Sequence, residues 1–180
     1  MDDAQDNGEI LGEGKFLRLR RKGRWEIAER VNASGGVVIV AITASREMIL
    51  VEQYRIPVEA RVIELPAGLV GDEPGQEDEA LKSAALRELE EETGYTADTL
   101  LHLLRGPTTA GLSSEQVDLF LARGVRRMGG GGGVDGEEIT VHCVRLDGME
   151  AWLENCQSRG LLVDPKVYAG LYFARRGAAT

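Results

Sequence analysis

The chain has 180 residues, a length that fits one domain with one substantial core and is too short for two full enzyme domains. Hydrophobic residues make up 43% and charged residues 28%, which is ordinary for a globular protein and excludes a disordered or collagen-like chain. Lysine plus arginine number 21 against 30 aspartate plus glutamate, a net charge of −9 that argues against a general nucleic-acid binder. The longest apolar run, residues 37–42, is far too short to span a membrane, and the acidic N-terminus is unlike a signal peptide, so we expect a cytoplasmic protein with no membrane partner.

Cysteine and histidine are scarce. Neither Cys143 nor Cys156 belongs to a Cys-x-x-Cys pair, so the spacing predicts no disulfide framework and no thiol redox motif. With only His102 and His142 as imidazole ligands, the composition also argues against a structural zinc site.

The N-terminal third predicts strands. Its first 14 residues read as a loose tail, and residues 15–31 hold two short alternating stretches split by Lys22-Gly23, which predicts a β-hairpin. Three later runs have strand length and β-branched or alternating composition, and they predict the core of a sheet: residues 36–42, 48–54 and 62–65. We therefore divide the chain into a tail with N-terminal strands, residues 1–34, and a main domain, residues 35–180.

A loop and a helix are predicted next. Residues 68–75 are rich in Gly, Asp and Pro, which favours a loop. Residues 78–92 predict a helix with Gly94 as the stop just beyond it. Its apolar stripe recurs at helical spacing: Leu81, Ala84, Ala85 and Leu89.

The C-terminal half predicts three strands, residues 99–104, 117–122 and 139–145, and two helices, residues 149–159 and 165–176. The inward faces of the helices are Trp152, Leu153 and Cys156 in the first and Val167, Leu171 and Tyr172 in the second. Five glycines, residues 129–133, predict a mobile loop too flexible to pack. This order predicts an α/β (α+β) fold, with helices against a mixed sheet.

The predicted helix at residues 78–92 carries an acidic face. Along a helix, Glu88, Glu91 and Glu92 share one side, while Glu90 points nearly away. Like charges at this spacing repel, and a helix C-terminus disfavours anions, so folding alone would not select the pattern. A solvated charged face is the competing interpretation. A hard divalent cation removes both penalties, and oxygen-only ligands suit Mg²⁺ or Mn²⁺.

Residues 87–95, Arg-Glu-Leu-Glu-Glu-Glu-Thr-Gly-Tyr, resemble the second half of the Nudix box, REUxEExGU with U aliphatic or aromatic. Glu79 precedes Arg87 with the seven intervening residues that the box requires. The first half departs, because Glu73 occupies the position of the leading glycine, and the nearest suitable glycine, Gly68, has ten intervening residues before Glu79. We interpret the difference as a five-residue insertion at about residues 71–75.

Other segments resemble the ADP-ribose pyrophosphatase branch of the Nudix hydrolases. Glu64-Leu65-Pro66-Ala67-Gly68 is similar to the branch's E-[FL]-P-A-G segment. Residues 110–115 resemble its PG-[LF]-S-x-E stretch, with Ala110 in place of the proline, and residues 163–168 resemble its closing helix. The resemblance implies a Nudix α/β/α sandwich with a mixed sheet, preceded by the N-terminal β-hairpin, and a homodimer that exchanges N-terminal strands.

The resemblance also implies roles for the box residues. Glu88 and Glu92 would be the first metal ligands, Glu91 a third, and the carbonyl of Ala67 a fourth. Glu79 would be a structural partner of Arg87, and Gly68 and Gly94 would be the structural glycines of the box.

A general base is implied outside the helix, because carboxylates already bound to a metal are weak proton acceptors. In this branch a glutamate on the loop before residues 139–145 has that role, and Glu137 aligns best, with Glu138 next. A solvated turn is the alternative. The glycines upstream would let the loop close over substrate, or they are an inert linker.

Four residues match the branch's substrate contacts. Trp25 could stack on adenine, or it could pack within the hairpin. Arg30 offers a fork to phosphate or to a terminal ribose, and Arg55 would address the diphosphate beside Glu64. A structural ion pair is the alternative for Arg55 and Glu64.

The implied activity is Mg²⁺-dependent hydrolysis of ADP-ribose to AMP and ribose 5-phosphate, with Mn²⁺ as the other candidate metal. One alternative is the same chemistry on another nucleoside-diphosphate sugar. A catalytically silent Nudix fold that binds a ligand is a second alternative, and a plain acidic scaffold is a third.

Overall fold

A computed structural model describes residues 8–31, 33–71, 80–133 and 138–177. Three helices are present in these ranges, α1 (Leu81–Thr93), α2 (Met149–Ser158) and α3 (Pro165–Gly177). The strands are β1 (Glu9–Glu13), β2 (Leu17–Lys22), β3 (Trp25–Arg30), β4 (Gly35–Thr43), β5 (Glu47–Arg55), β6 (Ala60–Glu64), β7 (Ala67–Val70), β8 (Tyr95–Thr96), β9 (Thr99–Pro107), β10 (Gln116–Arg127), β11 (Thr140–Arg145) and β12 (Leu162–Val163).

The N-terminal strands form a small antiparallel sheet in the order β1-β2-β3. The hairpin prediction is confirmed, since β2 and β3 meet at a turn where Gly23 has a φ of 58°. The predicted loose tail is wrong for Glu9–Glu13, which pairs with β2. Arg21 of β2 bonds Glu9 of β1 at 2.5 Å across this pair, and the partner strand lies outside the 14 residues that read as a tail.

The large sheet is mixed, as predicted. In the described part of the chain its path runs β12-β6-β5-β4-β10-β8, with β11 on β5, β7 on β4 and β9 on β10. Two pairs are parallel, β10 with β4 and β12 with β6, and the other pairs are antiparallel.

Two cores lie on opposite faces of this sheet. On β4, Val38 and Val40 belong to the core that includes Leu153 of α2 and Val167 of α3, whereas Val37 and Ile39 belong to the core under α1. A strand buried on both faces reads as one continuous apolar run, which is why residues 37–42 are apolar throughout. The helix, sheet and helix layers confirm the α/β/α sandwich. None of the helices within the described ranges is long and apolar enough to cross a membrane.

Helix α1 ends where the sequence predicts, with Gly94 at the C-cap in the left-handed conformation, φ 73°. Its predicted beginning at residues 78 and 79, and most of the insertion at residues 71–75, lie outside the described residues. Residues 67–70, predicted as loop, form β7, because their backbone completes a ladder with β4 that local composition does not reveal. The short strands β8 and β12 depend on partners distant in sequence in the same way.

Two further predictions are wrong. Tyr172 of α3 is 53% exposed instead of inward, and its ring contacts Phe173 and the Arg176 guanidinium at the surface. The glycines at residues 129–133 are not a free loop, since their backbone hydrogen-bonds to the end of α1.

Cys143 and Cys156 are free, in line with the predicted lack of a disulfide, and burial raises the pKa of the Cys156 thiol.

Candidate active site

A cleft of about 410 Å³ lies where α1, the sheet and the start of α3 come together. Both acidic and basic side chains line it. Its charged lining residues are Arg30, Arg55, Glu64, Glu88, Glu92, Glu115 and Lys166, and Ala67, Gly68 and the buried Gln53 also line it.

The acidic face of α1 meets the backbone of β7. Glu92 is 5% exposed, and its Oε2 accepts a hydrogen bond from the N–H of Ala67 at 3.0 Å. Glu88, one turn earlier, packs so closely on Gly68 that a Cβ at position 68 would lie 1.8 Å from the Glu88 carboxyl carbon. A glycine at position 68 leaves room for the Glu88 carboxylate, and the helix and strand together place the two carboxylates in the cleft.

Arg87 joins the helix face to β7. Its Nη1 donates to Glu88 Oε1 at 3.0 Å and to Glu91 Oε2 at 3.2 Å, and its Nη2 donates to the carbonyl of Leu69 at 3.4 Å. Arg87 thus holds two acids of the helix face. Glu88 and Glu92 line the cleft, whereas Glu91 does not.

The donor set suits a hard cation. Carboxylate and backbone oxygens are the ligands that Mg²⁺ and Mn²⁺ prefer, and the cleft presents Glu88, Glu92 and Glu64 around the Ala67 backbone. In the part of the chain with a described structure, no three acidic, histidine or cysteine side chains converge closely enough to form a ready-made metal cage. Two of the three helix acids are instead turned toward Arg87, so a cation would have to compete with that guanidinium.

Two ion pairs line the cleft. Arg55 donates from Nε to Glu64 Oε2 at 2.7 Å and from Nη2 to Glu64 Oε1 at 3.2 Å, a bidentate pair. Arg30 donates from Nε to Glu115 Oε1 at 2.5 Å. Arg55 and Glu64 therefore form the ion pair that was the alternative to substrate binding, and both residues also line the cleft.

Trp25 lies away from these groups within one chain. It begins β3, whereas Arg30 ends that strand, and the rise per residue puts the two Cα atoms about 16 Å apart. Trp25 is 52% exposed and stacks near the Arg24 guanidinium, and it does not line the cleft. Arg30 is held in place because Ala28 of the same strand bonds to the backbone of Leu112 and Ser114.

Glu138 belongs to a separate network. Its Oε2 is 3.5 Å from Nη2 of Arg61, and its side chain is 89% exposed. Arg61 also contacts Glu52, which bonds His142 at 3.0 Å beside the Trp152 ring. None of these side chains lines the cleft. Glu137 and Glu79 lie outside the described residues.

Sequence reasoning gave no role to Glu115, Lys166 and Gln53, which line the cleft. Glu115 was noted only as part of a motif, although it pairs with Arg30 across 85 positions of sequence. Lys166 reaches the cleft from the first turn of α3, where Asp164 bonds its side chain at 2.5 Å. Gln53 is a polar residue at a buried position of β5. A polar residue close to the apolar run of this strand is the one sequence signal that could have indicated it.

Comparison with known proteins now decides the family. A family model described as the NUDIX domain matches residues 34–147. The chain belongs to the Nudix family. Arg87, Glu88, Glu91 and Glu92 lie within the matched residues, and the match confirms the family predicted from the sequence.

Three bacterial proteins are among the relatives of this chain. An ADP-ribose pyrophosphatase of Bacillus subtilis (strain 168) is 42% identical over 100 residues, 56% of this chain and 51% of that protein. An ADP-ribose pyrophosphatase of Mycobacterium tuberculosis is 37% identical over 131 residues, 68% of this chain and 60% of that protein. A methanol dehydrogenase activator of Bacillus methanolicus is 36% identical over 119 residues, 65% of this chain and 60% of that protein. The Nudix chain thus spans between half and three fifths of the length of these relatives.

A solved structure shares the fold. The crystal structure of an ADP compounds hydrolase aligns with a TM-score of 0.68 and covers 93% of this chain and 89% of that one, at 20% sequence identity. The agreement over nearly the whole chain confirms the Nudix fold for this arrangement of sheet and helices.

Proposed function

We propose that this Nudix protein hydrolyses the diphosphate bond of ADP-ribose in a Mg²⁺-dependent reaction that yields AMP and ribose 5-phosphate. The observation that carries the proposal is the cleft itself. Glu88, which packs on Gly68, and Glu92, which bonds the N–H of Ala67, line it together with three cations, Arg30, Arg55 and Lys166. Relatives described as ADP-ribose pyrophosphatases support the substrate.

The acids would hold the metal. Glu88 and Glu92 are the first ligands in this proposal, with the Ala67 carbonyl and Glu91 as further ligands. Mg²⁺ or Mn²⁺ bound there would neutralise charge on the diphosphate and make a bound water acidic enough to supply a nucleophile near neutral pH. Arg87 keeps the acids oriented until the cation competes for them.

The cations would bind the diphosphate. Arg55 is paired with Glu64, and Arg30 with Glu115, so each guanidinium is already positioned at the cleft. A phosphate group accepts two parallel N–H bonds as a carboxylate does. The substrate can therefore accept one N–H of each guanidinium while the acid keeps another. In this proposal the non-bridging oxygens of the diphosphate bind fixed positive charge in the same cleft as Glu88 and Glu92.

A base outside the helix would accept the proton of the attacking water. We assign this role to Glu137. The engagement of Glu138 with Arg61, outside the cleft, supports the choice of Glu137 over its neighbour. General-base catalysis of this kind typically contributes about 10²- to 10⁴-fold to the rate.

Assembly would complete the site. We infer a cytoplasmic homodimer in which residues 1–34 exchange between subunits and residues 35–180 form the hydrolase domain. The separation of Trp25 from the cleft within one chain supports this, because a partner's strand could bring that indole to an adenine ring. Large apolar side chains exposed on the N-terminal sheet, Ile10, Phe16, Leu17 and Trp25, give it a surface to bury.

Product analysis on a panel of diphosphates tests the proposal. Purified protein is incubated with Mg²⁺ and ADP-ribose, with other nucleoside-diphosphate sugars, and with a nucleoside triphosphate as a control, and products are separated by chromatography. We expect AMP and ribose 5-phosphate in equal amounts, with ADP-ribose hydrolysed fastest. A faster reaction with another nucleoside-diphosphate sugar would reassign the substrate, and binding without turnover of any compound would indicate a ligand-binding Nudix module.

A further inference from the structure

The five glycines at residues 129–133, which we call the glycine clasp, are bonded to the C-terminal end of the acidic helix. The N–H of Gly132 donates to the carbonyl of Glu92 at 2.9 Å, and the N–H of Gly133 donates to the carbonyl of Glu91 at 3.0 Å. The N–H of Gly129 donates to the carbonyl of Gly94 at 3.0 Å. The clasp therefore holds the backbone of two residues whose side chains belong to the Nudix box.

Close contact between the two backbones explains the glycines. Gly131 has a φ of 67°, and a Cβ there would lie 2.2 Å from the carbonyl carbon of Thr93. Conversely, a Cβ at Gly94 would lie 2.5 Å from the carbonyl oxygen of Gly129. Both neighbours are main-chain atoms, which cannot rotate aside as a side chain can. At Gly130, by contrast, a Cβ would meet nothing within 4 Å.

The clasp completes the hydrogen bonding of the last helical turn. The final carbonyls of a helix lack partners within the helix and carry partial negative charge. In α1 the carbonyl of Leu89 accepts from the Thr93 hydroxyl and that of Glu90 from the N–H of Gly94, while Gly133 and Gly132 bond the carbonyls of Glu91 and Glu92. The two clasp donors thus offset negative charge where the carboxylates of Glu91 and Glu92 are attached.

Gly132 also joins the helix to the sheet. Its carbonyl accepts a hydrogen bond from the N–H of Ile139 at 3.4 Å, immediately before β11. A single residue thereby connects the end of α1, through its N–H, to the start of β11, through its carbonyl. The acidic helix is tied to the central sheet at its C-terminal end as well as through Arg87 and β7.

We propose that the glycine clasp is a positioning element for the metal-binding face of α1. By fixing the main chain of Glu91 and Glu92, it sets the position of their carboxylates relative to the cation. This consequence for metal binding rests on the proposed function, whereas the clasp contacts themselves do not. Partners that orient metal ligands commonly change metal affinity or activity by about 10- to 100-fold when lost.

Gly131→Ala and Gly130→Ala form a matched pair of variants within the same run. Gly131→Ala should weaken Mg²⁺ affinity, measured by calorimetry, by about 10- to 100-fold, and should lower kcat for ADP-ribose while KM stays near the wild-type value. Gly130→Ala should match the wild type in all three quantities. Wild-type Mg²⁺ affinity in Gly131→Ala, or an equal loss in both variants, would overturn the proposal.

Amide exchange in the wild-type protein supplies a test that needs no variant and no turnover. In metal-free protein, NMR should show the amides of Gly132 and Gly133 exchanging at least about tenfold more slowly than in an unstructured chain, and added Mg²⁺ should slow them further. Exchange at the unstructured rate, or no response to Mg²⁺, would refute the positioning role. If the wild type binds Mg²⁺ and shows this exchange pattern but hydrolyses no compound of the panel, the proposed function fails and the clasp stands.

Discussion

Glu92 combines burial with negative charge. A carboxylate in a buried position must be compensated, and the N–H of Ala67 supplies one of its hydrogen bonds. A glutamine could still accept that bond through its amide oxygen, so replacement removes the charge and keeps the shape. Replacement of Glu92 by glutamine therefore tests the metal site without removing this hydrogen bond.

Glu92→Gln should lower kcat by orders of magnitude and raise the Mg²⁺ concentration needed for half-maximal activity, with little change in the melting temperature. The matched control is Glu90→Gln, on the exposed side of the same helix, which should behave as the wild type. Initial rates across a Mg²⁺ series, with circular-dichroism melts, measure both. Near-wild-type turnover of Glu92→Gln in saturating Mg²⁺ would refute the assignment.

Glu137 and Glu138 are neighbours with different predicted effects. Glu137→Gln should cut kcat by about 10²- to 10⁴-fold, with little change in Mg²⁺ dependence or in substrate affinity measured by calorimetry, because only proton acceptance is lost. Glu138→Gln should leave kcat unchanged, since Glu138 pairs with Arg61 outside the cleft. The reverse pattern would make Glu138 the base. Full activity in both variants would place the base outside this segment.

At the scale of elements, the contact between α1 and β7 positions the acids. Gly68 and Glu88 approach so closely that an alanine methyl at position 68 would displace the Glu88 carboxylate. That carboxylate is the end of a flexible side chain, so it can move at small cost in stability. A substitution at position 68 should therefore affect activity more than stability.

Gly68→Ala should lose most activity and require more Mg²⁺, while its melting temperature stays within a few degrees of the wild type. The control is Gly106→Ala in β9, where a Cβ would meet only Leu104, at 3.9 Å. Steady-state rates and thermal melts of the two variants provide the comparison. Wild-type activity of Gly68→Ala would show that Glu88 need not lie against β7.

The elements that sequence predicted correctly are those with a local signal. The apolar run of β4 and the stripe of α1 with Gly94 at its end each lie within one window. The elements that sequence predicted wrongly depend on partner strands outside the local window. β1 pairs with β2, and β7 pairs with β4. The glycine clasp is the same case, since a run of glycines indicates freedom until Thr93 and Gly94, more than 30 positions earlier, are brought against it.

The candidate site shows the same contrast between residues with a local sequence signal and residues brought in by distant elements. Helical spacing predicted Glu88, Glu91 and Glu92 on one face, but spacing alone does not show that Glu91 bonds Arg87 and does not line the cleft. Glu115 and Lys166 received no role because they reach the cleft from β10's entry loop and from α3. Trp25 was matched to the substrate from its motif, yet it lies at the far end of β3 from Arg30 within one chain.

At the scale of the whole molecule, the N-terminal sheet has exposed apolar side chains, and Ala28 of β3 bonds the backbone of the loop before β10. Deleting residues 1–31 should yield a monomer or an aggregate with poor substrate binding, because the exchanged strands, Trp25 and Arg30 are all lost. Light scattering and the Michaelis constant report the two effects. A truncated protein that stays dimeric and keeps its Michaelis constant would refute strand exchange.

The central claim is that the cleft between α1 and β7 cleaves ADP-ribose with the help of a divalent cation. The most direct measurement is the rate of AMP formation from ADP-ribose by three samples: wild type with Mg²⁺, wild type with a chelator, and Glu88→Gln with Mg²⁺. The account predicts rapid formation of AMP in the first sample alone. AMP formed at the same rate in the chelator, or by Glu88→Gln, would contradict it.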